Sequence, residues 1–587
     1  MENKNLEIMR HSCSHLLAAA VMKLWPKTKL AIGPAIETGF YYDFDFSDLP
    51  EKVSETDFPK IEAKMAEIQK QSLPFEPKKI TVEEAKKFFS NQPYKLELIE
   101  DLAAKGEKEV SLYTLGEFTD LCLGPHVANT SEIGPFKLLS VAGAYWKGSE
   151  KNKMLTRIYG ACFSTKNELE NFLKNLEEAK QRDHRVIGQK LGLFVFSDLV
   201  GKGLPLFTEK GSTIRRELER YIVDEEIKRG YKHVYTPEIA KVDLYKKSGH
   251  YPYYKETMYP IMKVDEEELI LRPMTCPHHF ELYLSRPRSY RELPIRFAEL
   301  AKQFRYEKSG ELSGLMRVRL FCLADAHIIA QKEQAVSEIN AVLDLIEDVA
   351  STLGLKKGED YRYRLSLGDR QDEKKFYKDD EAWDYAENVL RQVLINRKAP
   401  FYEGKGEAAF YGPKIDIQMK NAAGIENTAF TVQYDFVMPK RFNLTYIDSN
   451  GQEKEAIVIH RSSIGAIERV MAFLIEKYNG AFPVWLAPIQ IKVIPVSEKI
   501  LNYAQTLTKQ LRENNLRIEL DDRNETLPAK IRDAEKEKIP YMLIVGAKEA
   551  EAKSVSVRVR GEKDLGSMRF EEFLNKIKED IDKKRQV

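Results

Sequence analysis

The alternation of apolar and polar positions divides the chain into blocks of different period. Between Ile8 and Trp25 apolar residues recur at helical spacing, and Pro26 closes the run as a helix stop should. The segment GPAIETGFYYDFDF reads as strand and turn, so residues 1–160 are expected to form an α+β block. At Thr165 the period changes. Thr165 and Glu168 have the spacing of a capping box, and Leu169, Phe172, Leu173 and Leu176 mark one helix face. Charged residues fill the remaining positions through Arg185, which predicts an amphipathic connector over 161–194.

From about 195 to 487, strand-like segments (KHVYTPEIA, EELILRP, EAIVIH) are set among long helical ones (STIRRELERYIVDEEIKRG, SIGAIERVMAFLIEKY). The long helices do not interleave with every strand, which suits α+β with an antiparallel sheet better than a doubly wound fold. Residues 488–587 read β-α-β-α-β: IKVIPV, a helix over 497–514, LRIELDD, a helix over 527–538, then YMLIVG and SVSVRVR. That alternation predicts a small α/β sheet with helix-covered faces. The fold class is therefore multidomain, α+β followed by α/β.

Composition narrows this only slightly. A chain of 587 residues is too long for one core, and 43% hydrophobic with 31% charged residues is the balance of a soluble globular protein. No run of 18 apolar residues appears, so no membrane-spanning helix is expected. The polar start MENKNLEIMRHSCSHLL is not a secretory signal, and five cysteines cannot frame so long a chain with disulfides. A cytoplasmic location is expected. With 92 basic and 91 acidic residues, bulk charge does not announce a nucleic-acid partner.

Local chemistry is more telling. FRYE followed by GLMRVR gathers Arg305, Glu307, Arg317 and Arg319 in a turn-rich hairpin. Guanidinium groups grip phosphate bidentately and keep their charge. The pattern suits an ATP site, although charge alone favours a solvated surface hairpin. Cys276, His327 and His460 are too far apart for any zinc-ligand spacing. His11 and His15 share a helix face, Cys122 and His126 repeat their spacing, and Ser12 excludes a metalloprotease HExxH.

RFAELAKQFRYEKSGELSGLMRVR resembles motif 2 of class II aminoacyl-tRNA synthetases in its threonyl form. TPEI around Pro237 sits where that family has motif 1, its dimer-interface element, and HRSSIGAIERVMAFLIE resembles motif 3. GEAAFYGPKIDIQ is similar to a threonyl-specific hallmark, HSCSHLLAAAV with DLCLGPHV to the editing domain of bacterial-type members, and the last block to the class IIa anticodon-binding domain. The resemblance implies an editing domain over 1–160, a helical linker, a class II catalytic domain over 195–487 and an anticodon-binding domain over 488–587.

It also implies roles. Arg305 would hold the α-phosphate and the amino-acid carboxylate, Glu307 the adenine amino group and Arg317 the outer phosphates, with Arg469 stacked on adenine. Cys276, His327 and His460 match the family's zinc ligands, and Asp325, Tyr411 and Gln433 its threonine-binding residues. Mg²⁺ would accompany ATP. Valine is nearly isosteric with threonine, and an apolar pocket separates such pairs by only about 100-fold, whereas zinc binding both amine and hydroxyl rejects valine. Serine passes that sieve, so a hydrolytic check is required. His11, His15, Cys122 and His126, with Lys95 and Asp120, would line a pocket that hydrolyses seryl-tRNA. Asn524, Glu549 and Arg558, with Arg532 on the same surface, match base-reading positions. The implied partners are threonine tRNA, ATP, threonine and a second copy of the chain.

The chain departs from the family in places. Met1 stands close before His11, so the usual N-terminal ubiquitin-like domain is expected to be absent. Leu323-Ala324 replace Gln-Asp before Asp325, Asn427-Thr428 replace Trp-Gln, and Thr275 replaces Asn before Cys276. Two rival readings are an RNA-binding paralogue without aminoacylation and a prolyl or seryl relative. The intact Arg305, Arg469 and zinc-ligand set disfavour the first, and the zinc triad with the paired His/Cys motifs disfavours the second.

Overall fold

The computed structural model describes residues 2–36, 38–50, 53–149, 151–561 and 563–585. It divides into two compact units, Met1–Glu177 and Glu178–Val587.

In the first unit the helix Glu2–Leu24 is buried on all sides from Ser12 to Val21. Its small residues there, Ser12, Ser14, Ala18, Ala19 and Ala20, let neighbouring backbone approach closely, so it shows no polar stripe. It packs on an antiparallel sheet ordered Lys29–Leu30, Gly39–Asp45, Met154–Cys162, Phe136–Tyr145, in a core with Phe40, Tyr42, Phe44 and Ile158. A second antiparallel sheet joins Glu76–Thr81, Glu109–Leu115 and Phe118–Leu121. This is the α+β block the pattern predicts. The Thr165 box forms as expected: the Thr165 N–H donates to Glu168 Oε2 at 3.0 Å, and the Glu168 N–H to Thr165 Oγ1 at 3.2 Å.

The second unit is built on an eight-stranded sheet, antiparallel except for the edge pairs Lys232–His233 with Ile295–Phe304 and Tyr361–Leu367 with Phe401–Lys405. Its centre runs Ile295–Phe304, Leu320–Ala330, Ile457–Ala466, Glu426–Asp435, Lys414–Lys420. The amphipathic helices Ala335–Thr352 and Ile467–Tyr478 pack against the strand Ile457–Ala466, adding Val342, Ile346, Val470 and Leu474 to the core. Register sets the site. His327 lies opposite Phe297 on one side and His460 on the other, His460 opposite Gln433, and Gln433 opposite Lys414. A bulge between Leu323 and Asp325 re-aims the strand just before these residues.

KHVYTPEIA does not form one strand. Only Lys232–His233 and Ile239–Lys241 pair, because Pro237 lacks the N–H a continuous ladder requires. Toward the C-terminus, Ile518–Leu520, Ile491–Pro495 and Tyr541–Val545 run parallel, as the β-α-β pattern predicts. The strand Ser554–Val559 adds antiparallel, and beyond the sequence reading come the strand Lys563–Arg569 and the helix Phe570–Asp582.

Candidate active site

Residues separated widely in sequence meet in a cleft of about 520 Å³ at the sheet centre, lined by Cys276, Arg305, Glu307, Arg317, Asp325, His327, Tyr411, Gln433 and His460. Cys276 opens the helix Cys276–Leu284, while His327 and His460 face each other across adjacent strands. One ligand atom from each of the three lies within 4.8 Å of the others, and all three residues are buried.

Their remaining ring nitrogens are already held. His460 Nε2 sits 2.6 Å from Asp435 Oδ2, and His327 Nδ1 sits 2.8 Å from His279 Nδ1. His279 Nε2 in turn lies 3.3 Å from Glu299 Oε2. With Glu299 and Asp435 as acceptors, this network leaves His327 Nε2 and His460 Nδ1 as free lone pairs. Burial lowers the His327 pKa well below the ordinary value, which keeps its imidazole neutral, as a ligand must be. One thiol and two outward-braced imidazoles form a donor set that fits Zn²⁺.

On the same cleft wall Tyr411 O–H donates to Gln433 Oε1 at 2.6 Å and stacks on His460 with ring centroids 4.9 Å apart. Asp325 is nearly buried, and desolvation raises its carboxyl pKa above the usual range. Arg317 Nε donates to Glu307 Oε2 at 2.9 Å, and Arg305 lies with its guanidinium carbon 5.1 Å from the Phe321 ring centre. Arg469 does not line the cleft but braces its wall, donating from Nε to the Met316 carbonyl at 3.0 Å and from Nη1 to the Thr428 carbonyl at 2.7 Å. Burial lowers its pKa to about 10, with the positive charges of Arg305 and Arg317 adding to the effect.

The cleft also holds residues that sequence reasoning passed over: Gln303, His250, Lys414 and Arg461. Burial pushes His250 down to about 3, and its Nδ1 lies 2.8 Å from Ser248 Oγ. Nothing in spacing or composition singles these out.

In the first unit a second cluster forms. His11, His15, Cys122 and His126 present ligand-type atoms within 4.8 Å of one another. Cys122 Sγ lies 3.4 Å from His11 Nε2 and 3.3 Å from His126 Nε2, and His126 Nδ1 lies 3.1 Å from Ser12 Oγ. Beneath them Lys95 Nζ pairs with Asp120 Oδ1 at 2.5 Å, both fully buried, and Tyr42 O–H donates to Asp120 Oδ2 at 2.5 Å. Desolvation lowers His11, lowers His15 strongly and takes His126 to about 2, so all three rings are neutral at pH 7. Burial raises the Cys122 thiol to about 11, which leaves it a poor nucleophile.

The C-terminal residues are spread over one small sheet. Asn524 follows Ile518–Leu520 and Glu549 follows Tyr541–Val545, so both leave the carboxyl end of the parallel strands. Arg558 faces Met542 in register, away from that end, and Arg532 is exposed on the helix Leu527–Lys536.

Sheet, cleft and flanking domains together define a class II aminoacyl-tRNA synthetase. The family model "tRNA synthetase class II core domain (G, H, P, S and T)" matches residues 259–478, "Anticodon binding domain" 490–580, and "Threonyl and Alanyl tRNA synthetase second additional domain" 110–159. The chain is 50% identical over 583 residues to the threonine–tRNA ligases of Geobacillus kaustophilus and Staphylococcus carnosus. Those alignments cover 99% of this chain and 88% and 89% of the relatives. Among solved structures it is similar to the RNA binding domain of threonyl-tRNA synthetase from Cryptosporidium parvum (34% identity, TM-score 0.64, 68% of this chain and 98% of that one). It is also similar to a putative threonyl-tRNA synthetase from Aeropyrum pernix (29% identity, TM-score 0.61, 69% and 98%). The chain belongs to the threonine–tRNA ligase family.

Proposed function

We propose that the cleft around Cys276, His327 and His460 activates threonine with ATP and passes it to the 3′ end of threonine tRNA, while the first unit hydrolyses mischarged seryl-tRNA. The observation that carries this is the meeting of three donors from distant segments beside Arg305 and Asp325. Cys276, His327 and His460 would hold Zn²⁺, which supplies a Lewis-acidic centre with open positions for the threonine amine and hydroxyl. Asp325 would accept a hydrogen bond from the threonine amine, and Tyr411 and Gln433 would close the pocket around threonine.

Arg305 would hold the α-phosphate and the threonine carboxylate, Glu307 the adenine amino group and Arg317 the outer phosphates, with Mg²⁺ accompanying ATP. Arg469, which two carbonyls hold outside the cleft lining, would turn in to lay its cation on the adenine face. No side chain acts as nucleophile: the threonine carboxylate oxygen attacks the α-phosphorus and pyrophosphate leaves. Catalysis is therefore positioning and charge stabilisation.

In the editing pocket the neutral histidines would position and activate a water, with Cys122 lining the pocket and Lys95–Asp120 fixing its floor. Asn524, Arg532, Glu549 and Arg558 would read anticodon bases. The four-part division at 160, 194 and 487, a homodimer formed through the TPEI segment and a cytoplasmic location complete the reading. ATP–pyrophosphate exchange with threonine, serine, valine and proline tests it. Threonine-dependent exchange is expected, with valine and proline inert; no exchange with threonine would favour an RNA-binding protein without aminoacylation.

A further inference from the structure

We propose that Gln303 is a positioning residue of the threonine pocket, its buried carboxamide fixing Asp325, Arg305 and Thr275 relative to one another. The inference rests on the roles proposed above for Asp325 and Arg305.

Gln303 is 1% exposed, yet it lines the cleft. Its Nε2 donates to Asp325 Oδ2 at 3.2 Å and to Thr275 Oγ1 at 3.2 Å, and its Oε1 accepts from Arg305 Nη2 at 3.4 Å. One amide thus touches the carboxylate assigned to the threonine amine, the arginine assigned to its carboxylate and to ATP, and the residue that precedes Cys276. A buried amide is costly unless its donors and acceptor are paired, so these bonds fix its orientation and that of its partners.

Register explains why the group comes from this strand. Gln303 lies opposite Phe321 and Leu323 opposite Ala301, which makes Gln303 and Leu323 diagonal neighbours on one face of the pair. Leu323 lines the same cleft but carries no hydrogen-bonding atom. Gln303 is thus the amide on this face of the pair, and Thr275 accepts its second proton. By engaging Asp325 Oδ2 it leaves Oδ1, 3.9 Å from His327 Nε2, to accept from the threonine amine.

The test is steady-state kinetics of the full chain with Gln303→Met, which keeps length and removes every polar atom. The threonine KM is expected to rise about tenfold, the worth of one hydrogen bond to a charged group, with the ATP KM changed less than about threefold. Adding Leu323→Gln to that variant is expected to return the threonine KM to within about threefold of the parent. A threonine KM unchanged in Q303M, or a rise that L323Q does not reverse, overturns the proposal. Asp325→Asn separates the premise from the inference. If D325N leaves the threonine KM intact, the role of Asp325 fails; if D325N raises it and Q303M does not, only the role of Gln303 falls. Should Q303M not fold, Gln303→Glu keeps the shape and sets a second carboxylate against Asp325. It is expected to raise the threonine KM at least as much, and an unchanged KM there also overturns the proposal.

Discussion

Asp435 Oδ2 lies 2.6 Å from His460 Nε2, while its Oδ1 accepts the backbone N–H groups of Val437 and Met438, each at 2.9 Å. The carboxylate is fully buried and anchored by its own chain, so it fixes the tautomer and the direction of the imidazole. Asp435→Asn keeps an oxygen for the two backbone donors but turns an amide N–H toward Nε2. Zinc affinity is expected to fall about 10–100-fold, measured by competition with a chelating dye.

Gly314 holds the loop between the strands Ile295–Phe304 and Leu320–Ala330 against His184. At φ +49° it adopts a left-handed backbone, and a Cβ added there would stand 2.2 Å from His184 Nε2. That nitrogen accepts the Leu315 N–H at 3.1 Å, and His184 Nδ1 is tied to Glu476 at 2.7 Å. Gly314→Ala is expected to displace the loop carrying Arg317 and to raise the ATP KM about tenfold or more, leaving the threonine KM nearly unchanged. Initial rates with each substrate varied in turn check this.

His11→Ala with His15→Ala removes two of the three imidazoles around Cys122. Hydrolysis of seryl-tRNA is expected to drop at least about 100-fold, while threonine-dependent pyrophosphate exchange keeps its parent rate. Deacylation of preformed seryl-tRNA, run beside exchange, reads both.

The same histidines give the first unit a pH dependence. His11, His15 and His126 have pKa values below the ordinary 6.5, so between 6.5 and the lowered values the unfolded chain binds more protons. Stability is therefore full above pH 6.5 and is lost as pH falls below it, by up to about 1.4 kcal/mol per pH unit for each ring. Calorimetry from pH 7.5 to 5 is expected to show a transition whose acid shift shrinks in the His126→Asn variant.

How much of this was legible in the sequence depends on whether the signal is local. The Thr165–Glu168 cap, the first helix with its stop before Pro26 and the parallel strands of the last block follow from spacing within one segment. KHVYTPEIA looked like one strand because its composition is β-like, but Pro237 breaks the ladder. The triad of Cys276, His327 and His460 has no local signal. It is created by strand register, which sets His327 beside His460, and by a helix start that brings in Cys276. Motif resemblance pointed to these three residues; residue spacing could not. The bracing groups His279, Glu299 and Asp435, and the bridging Gln303, escaped altogether because a buried polar side chain reveals itself only through its partners.

Cys276, His327 and His460 would hold the metal that selects threonine. The most direct test is Cys276→Ser, assayed for zinc content and for threonine-dependent pyrophosphate exchange on the same folded sample. Loss of zinc together with loss of exchange is the predicted result; near-parent exchange from a zinc-free enzyme would contradict it.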